Sequence, residues 1–97
     1  MLQNFRTYQM ALALYRKCEQ IPAKPHFKDQ LQRAALSVVL NLAEGSAKPT
    51  AKERRRFYSI ALASLRETQS LLTILDRKEE LTLADPIGGC LYRLSRG

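Results

Sequence analysis

The sequence predicts an all-α fold, an antiparallel up-down four-helix bundle. Two observations carry that expectation. Apolar residues recur at i, i+3, i+4 and i+7, and no stretch alternates with period two. The periodic stretches are punctuated at Pro22 and Pro25, at Gly45 to Pro49 and at Asp85-Pro86, which divides the chain into four helices at roughly 7–20, 27–44, 50–77 and 85–95. At 97 residues the whole chain, 1–97, is expected to form one domain.

The first helix places Tyr8, Ala11, Leu12, Tyr15 and Cys18 on one face. In the second, Leu31, Ala34, Ala35, Val38 and Leu42 share a face, while Leu36, Val39, Leu40 and Ala43 lie round its side and back. A surface helix of a monomer is not apolar on both faces. Either this helix is central or its back meets another subunit. Four helices leave none central, so Leu36, Val39, Leu40 and Ala43 are expected to form an oligomer interface, with the first helix as its candidate extension. Gly45 follows as a natural left-handed cap.

The third helix opens with Thr50-Ala51-Lys52-Glu53, a capping box in which Thr50 caps an amide and Glu53 reaches back to the Thr50 amide. Its expected core stripe is Phe57, Ile60, Ala61, Ser64, Leu65, Thr68, Leu71, Leu72 and Leu75. Asp85 and Pro86 suit the cap and first position of a short fourth helix, whose stripe is Ile87, Cys90, Leu91 and Leu94. Gly88 and Gly89 each weaken it by about 1 kcal/mol relative to Ala.

Sixteen Lys and Arg against nine Asp and Glu give a net charge of +7. On so small a chain this favours a polyanionic partner, nucleic acid before membrane, with a merely soluble basic surface as the alternative. No apolar run approaches the ~20 residues of a membrane span, and the first six residues lack a signal-peptide layout. A cytoplasmic location is expected. Cys18 and Cys90 make no disulfide framework and no metal-ligand cluster, and are read as free thiols.

Nothing points to catalysis. His26 is the only histidine, in a Pro-flanked turn with no acid or nucleophile at telling spacing. Glu44 and Glu67 could approach each other in a bundle, but the Glu-x-x-His pairs of carboxylate di-iron bundles are absent. The chain is read as a non-enzyme with no metal and no cofactor.

The basic run Lys52-Glu53-Arg54-Arg55-Arg56 is more informative, because cations in the first turns of a helix oppose its dipole. On the helical wheel Lys52, Arg55, Arg56, Ser59, Arg66, Ser70 and Arg77 cluster opposite the apolar stripe, along ~37 Å of helix. Positive charge plus hydroxyl donors suits backbone phosphates. Lys52, Arg55, Arg56 and Arg66 are therefore the candidate RNA or DNA contacts, with Arg33 and Arg77 extending the surface. A solvated helix face is the alternative. Asn41 and Glu44 stand in the last turn of the second helix, where Glu44 opposes the dipole. This suggests an inter-helix polar clamp of Asn41, Glu44 and Glu67, with Arg33 or Arg66 as the partner of Glu44.

Three stretches recur in order in a known family: Phe5-Arg6-Thr7-Tyr8-Gln9-Met10-Ala11; Arg33-Ala34-Ala35-Leu36-Ser37 running into Asn41-Leu42-Ala43-Glu44-Gly45; and Phe57 with Ala61, Ser64, Leu65 and Glu67. The chain resembles the bacterial four-helix-bundle proteins encoded within intervening sequences of 23S ribosomal RNA genes. The resemblance covers nearly the whole chain. It implies a basic bundle assembling as a ring, typically a homopentamer. That family is similar in fold to the accessory variability proteins of diversity-generating retroelements, which bind nucleic acid and a reverse transcriptase. Val39 and Leu40 depart from the Pro-Ser type of pair the family often has there. The function expected is non-enzymatic binding of RNA or DNA by a homo-oligomer. The alternative is a scaffold docking a polymerase-like or other acidic protein.

Overall fold

The computed structural model describes residues 2–97, with side chains from Asn4 onward. Four helices follow one another: α1 (Leu2–Glu19), α2 (Pro25–Ser46), α3 (Ala51–Ile74) and α4 (Lys78–Arg96). The backbone of each helix approaches only its neighbours in the cycle α1, α2, α3, α4, with no close backbone approach across either diagonal among the described residues. Short connections make consecutive helices antiparallel, and the bundle extends 41 × 21 × 17 Å.

The core face expected of α2 is buried in full: Leu31, Ala34, Ala35, Val38 and Leu42 are all covered. They meet Ala61, Leu65, Leu71 and Leu72 of α3 in one cluster with Leu14 and Ile21 from the first part of the chain and Ile87 and Leu91 of α4. Pro25 begins α2 at a position where its missing N–H costs nothing. His26 therefore lies in the first helical turn rather than in a loop, exposed and with its ring 4.2 Å from that of Phe27.

The stripe on α1 is rotated from its expected position. Thr7, Ala11, Leu14 and Cys18 are buried, while Tyr8, Leu12 and Tyr15 pack half-buried at the edge. In α3 the buried aromatic is Tyr58 rather than Phe57, and Ile60 is exposed. The hydroxyl of Tyr58 accepts a hydrogen bond from Asn4 Nδ2 at 3.0 Å, which ties the start of α1 to α3. Tyr58 is in helical phase with the buried Ala61, Leu65, Thr68 and Leu72, whereas Phe57 lies to the side of that face.

Two expectations about chain reversal are corrected. α4 starts at Lys78, not at Asp85, and Pro86 lies inside it. The chain turns at Leu75 to Arg77 instead, where Asp76 adopts a positive φ of 57°. Arg77 N–H donates to the Leu72 carbonyl at 2.9 Å and Asp76 N–H to the Thr73 carbonyl at 3.0 Å. This is the Schellman arrangement, with aspartate in the left-handed place glycine usually takes. Glu79 and Glu80 then complement the dipole in the first turn of α4. Pro86 is tolerated because Thr82 and Pro86 both face water, so the carbonyl left without an N–H donor is solvated.

Gly45 is not a left-handed cap. It is buried within α2, and no described glycine has positive φ. An added Cβ there would sit 2.9 Å from Tyr58 Cε1 and 3.0 Å from Phe57 Cβ. Glycine is needed for the close approach of α2 to α3.

Candidate nucleic-acid interface

Thr50 caps α3 as expected, accepting from the Glu53 amide at 3.1 Å. The reciprocal half differs: Thr50 Oγ1 donates to Glu53 Oε1 at 2.8 Å, so the carboxylate takes the hydroxyl rather than the Thr50 amide. This capped end holds the basic run. Arg54 turns back and donates to the carbonyls of Lys48 and Pro49, both at 3.1 Å, which fixes the α2–α3 connection. Lys52 and Arg56 are exposed and Arg55 half-exposed, and none of the three forms an ion pair among the described residues. Arg56 rests over the Phe57 ring at 5.9 Å, and Lys48 over the same ring at 5.1 Å.

An up-down bundle brings the starts of α1 and α3 to the same end as the finishes of α2 and α4. Arg6, Lys48, Lys52, Arg54, Arg55, Arg56, Arg93 and Arg96 all lie at that end, half of the sixteen basic residues, against only Glu44 and Glu53 of the nine acids. The remaining basic and acidic residues nearly cancel, so almost all of the +7 net charge belongs to one end. A cleft of about 320 Å³ opens there, lined by Asn4, Ala51, Arg54, Arg55, Tyr58, Arg93 and Leu94.

The other candidate contacts divide. Arg66 is exposed at mid-helix and donates to Gln69 Oε1 at 2.9 Å. Arg33 lies on α2, away from the basic end, and pairs with Asp29 at 2.6 Å. Arg77 lies beyond the end of α3, at the opposite end of the bundle. Its Nε and Nη2 donate to the two carboxylate oxygens of Glu80 at 3.1 and 3.0 Å. Glu80 is only 4% exposed, and the Arg77 hydrogen bonds hold its carboxyl below the usual range. Arg77 is thus committed to a structural ion pair, and the expected ridge ends at Arg66. Burial, with the Glu80 charge nearby, pushes the Cys18 thiol up to about 12. Cys90 is half-buried and also free.

The expected polar clamp is also rearranged. Ser37 and Ser64 bridge α2 and α3 through their hydroxyls at 2.7 Å, and Asn41 Nδ2 donates to Ser37 Oγ at 3.1 Å and to the Ser37 carbonyl at 2.9 Å. Glu44 pairs with Lys48 one turn on, at 3.1 Å, not with Arg33 or Arg66. Glu67 is exposed and takes no part. A hydroxyl pair suffices because Ala61 and Ser64 let the helices approach closely.

On the flank formed by α1 and α2, Leu40 is 56% and Leu36 37% exposed, and Ala43 is exposed as well. Val39, by contrast, is buried within the chain and is not available to a partner. Phe5, 58% exposed, continues this apolar strip across a groove lined by Asn4, Phe5, Tyr8, Ala43 and Ser46.

Arg93, Arg96 and Lys48 carry no local signal in the sequence. The signal that finds them is topological: one end of an up-down bundle collects alternate helix termini.

A family model described as 23S rRNA-intervening sequence protein matches residues 5–85. The chain belongs to this family. The match spans all of α2 and α3 and most of α1, and it stops within α4. No curated protein and no solved structure matches the chain. For this family member, no described helix is long and apolar enough to cross a membrane, and no described group of three His, Cys, Asp or Glu side chains could hold a metal ion.

Proposed function

We propose that this 23S rRNA-intervening sequence family protein is a non-enzymatic, cytoplasmic RNA- or DNA-binding protein that engages backbone phosphates with its basic end. The concentration of nearly the whole net charge at one end carries the reading. Lys52, Arg55 and Arg56 supply cations that form no ion pair among the described residues, and Arg66 extends the surface along α3. Arg33 and Arg77 each already hold an acidic partner and take no part in the contact. Charge and donors without a base-reading pattern support binding that is largely independent of sequence.

The protein acts as a homo-oligomer. Leu36, Leu40 and Ala43, with Phe5 beside them, form the apolar strip that a second copy covers, and a ring is the assembly the family resemblance implies. Mass measured by light scattering tests this: Leu40→Lys should shift the oligomer towards monomer, and a wild-type monomer would refute it.

Fluorescence anisotropy against salt tests the phosphate reading. Affinity should fall steeply with salt, and the double variant Arg55→Ala, Arg56→Ala should weaken binding and flatten the slope by about two units per chain engaged. Unchanged affinity in that variant would refute the assignment. Absence of wild-type binding at low salt would favour docking of an acidic, polymerase-like protein instead.

A further inference from the structure

We propose that the groove between α3 and α4 receives a single-stranded nucleic acid, with an unpaired base stacked at Tyr92 and its flanking phosphates on Arg66 and Arg96. This rests on the phosphate-binding reading above and narrows its ligand. Tyr92 is 49% exposed on an otherwise cationic part of the bundle. The Arg96 guanidinium lies over its ring, 4.7 Å from the centroid, so an incoming base takes that place as Arg96 turns to a flanking phosphate. Gly88, Tyr92 and Arg96 are spaced four residues apart, so they form one column on α4 with about 6 Å between members.

Arg66 reaches the foot of that column from α3. A Cβ at Gly88 would meet Arg66 Nη1 at 3.0 Å, so the glycine makes room for the guanidinium to lie against α4. The column therefore reads cation, ring, cation, and no acid interrupts it between Gly88 and Arg96. Gly89 keeps the adjacent surface low, since a Cβ there would touch only Arg93 Nη1, at 3.6 Å.

Such alternation suits a strand whose bases are unpaired. A cation holds each phosphate, and the aromatic face takes a base of any identity, because every base has a π-face. A duplex keeps its bases stacked on one another and offers Tyr92 no free face. It would engage the arginines alone.

Anisotropy titrations with a fluorescein-labelled oligo(U) strand and an RNA duplex of equal length, at one salt concentration, test this. Tyr92→Ala should weaken oligo(U) binding about 5- to 150-fold, the range lost with one base–aromatic stack, and leave the duplex unchanged. Tyr92→Phe should bind oligo(U) like the wild type. Equal effects of Tyr92→Ala on both ligands, or none on oligo(U), would overturn the single-strand inference while the phosphate reading stands. Failure of the wild type to bind either ligand at low salt would overturn both. The chain has no tryptophan, so Tyr92→Trp gives a second readout that does not depend on the alanine variant folding. Its emission should be quenched by oligo(U) and not by the duplex, and equal quenching or none would count against the stack.

Discussion

Replacing Gly45 by alanine sets two opposed effects against each other, and the structure fixes their sizes. Alanine is favoured over glycine inside a helix by about 1 kcal/mol. Against that, the new methyl would stand 2.9 Å from Tyr58 Cε1 and 3.0 Å from Phe57 Cβ, well inside the 3.5–4.0 Å optimum for carbon pairs. The Phe57 Cβ is tied to the α3 backbone and cannot swing away, so relief requires α2 and α3 to separate. Overpacking of this kind costs about 1–3 kcal/mol, and two fixed contacts place Gly45 in the upper part of that range. The expected net effect is a loss of about 1–2 kcal/mol, or roughly 5–15 °C in Tm for a chain of this size. Gly89→Ala is the matched control. It is exposed in the same kind of backbone and its nearest neighbour lies at 3.6 Å, so it should gain about 1 kcal/mol. Urea denaturation followed by far-UV circular dichroism reads both, at equal protein concentration, since the proposed self-association would make the midpoint concentration-dependent. If Gly45→Ala were as stable as the wild type, or moved in the same direction as Gly89→Ala, the close contact of α2 with α3 would be refuted.

The Arg77–Glu80 pair, with its carboxylate buried and its guanidinium half-exposed, makes stability depend on acid. Because the folded state lowers the Glu80 pKa, its contribution is fully present above the unfolded value of about 4.3 and is lost as the pH falls from there through the lowered native value. Urea midpoints against pH should drop over that window, and Glu80→Gln should flatten the drop; an unchanged profile in that variant would exclude the pair as its cause. The two thiols should also separate. Cys18 is fully buried with its thiol pushed up to about 12, whereas Cys90 is half-buried. A thiol reagent should label one cysteine per native chain, Cys90, and reach Cys18 only on unfolding.

Which parts of the fold the sequence discloses depends on how local their causes are. The core face of α2 and the Thr50 cap were readable because periodicity and capping are settled within a few residues. Gly45 was not, because a glycine at a helix end looks the same whether it frees φ or makes room for a neighbour. The difference lies in Tyr58 and Phe57 on another helix. Asp76 hid the true start of α4, since an aspartate gives a weaker turn signal than glycine, while the solvated Pro86 imitated a helix start. That error concealed the role of Arg77, whose partner Glu80 is evident only once the turn is placed before it. In the candidate site, Lys52, Arg55 and Arg56 were found from their unfavourable position on the α3 dipole. Arg93 and Arg96 break no local rule, because cations near a helix C-terminus are favourable, and so gave no signal.

The basic end and the apolar flank also constrain one another. The exposed strip of Leu36, Leu40 and Phe5 runs along the side of the bundle, whereas the unneutralised charge sits at its tip. Copies joined side to side around a cyclic axis parallel to the helices would present every basic tip on the same face. A dimer with its two-fold axis across the bundle would send the tips to opposite ends. Only the first arrangement lets one polynucleotide reach several patches together, raising affinity without a new contact. Repulsion among the gathered tips would oppose that ring, and an anionic strand laid across them would relieve it. Binding and assembly should then be linked, each strengthening the other by the same factor.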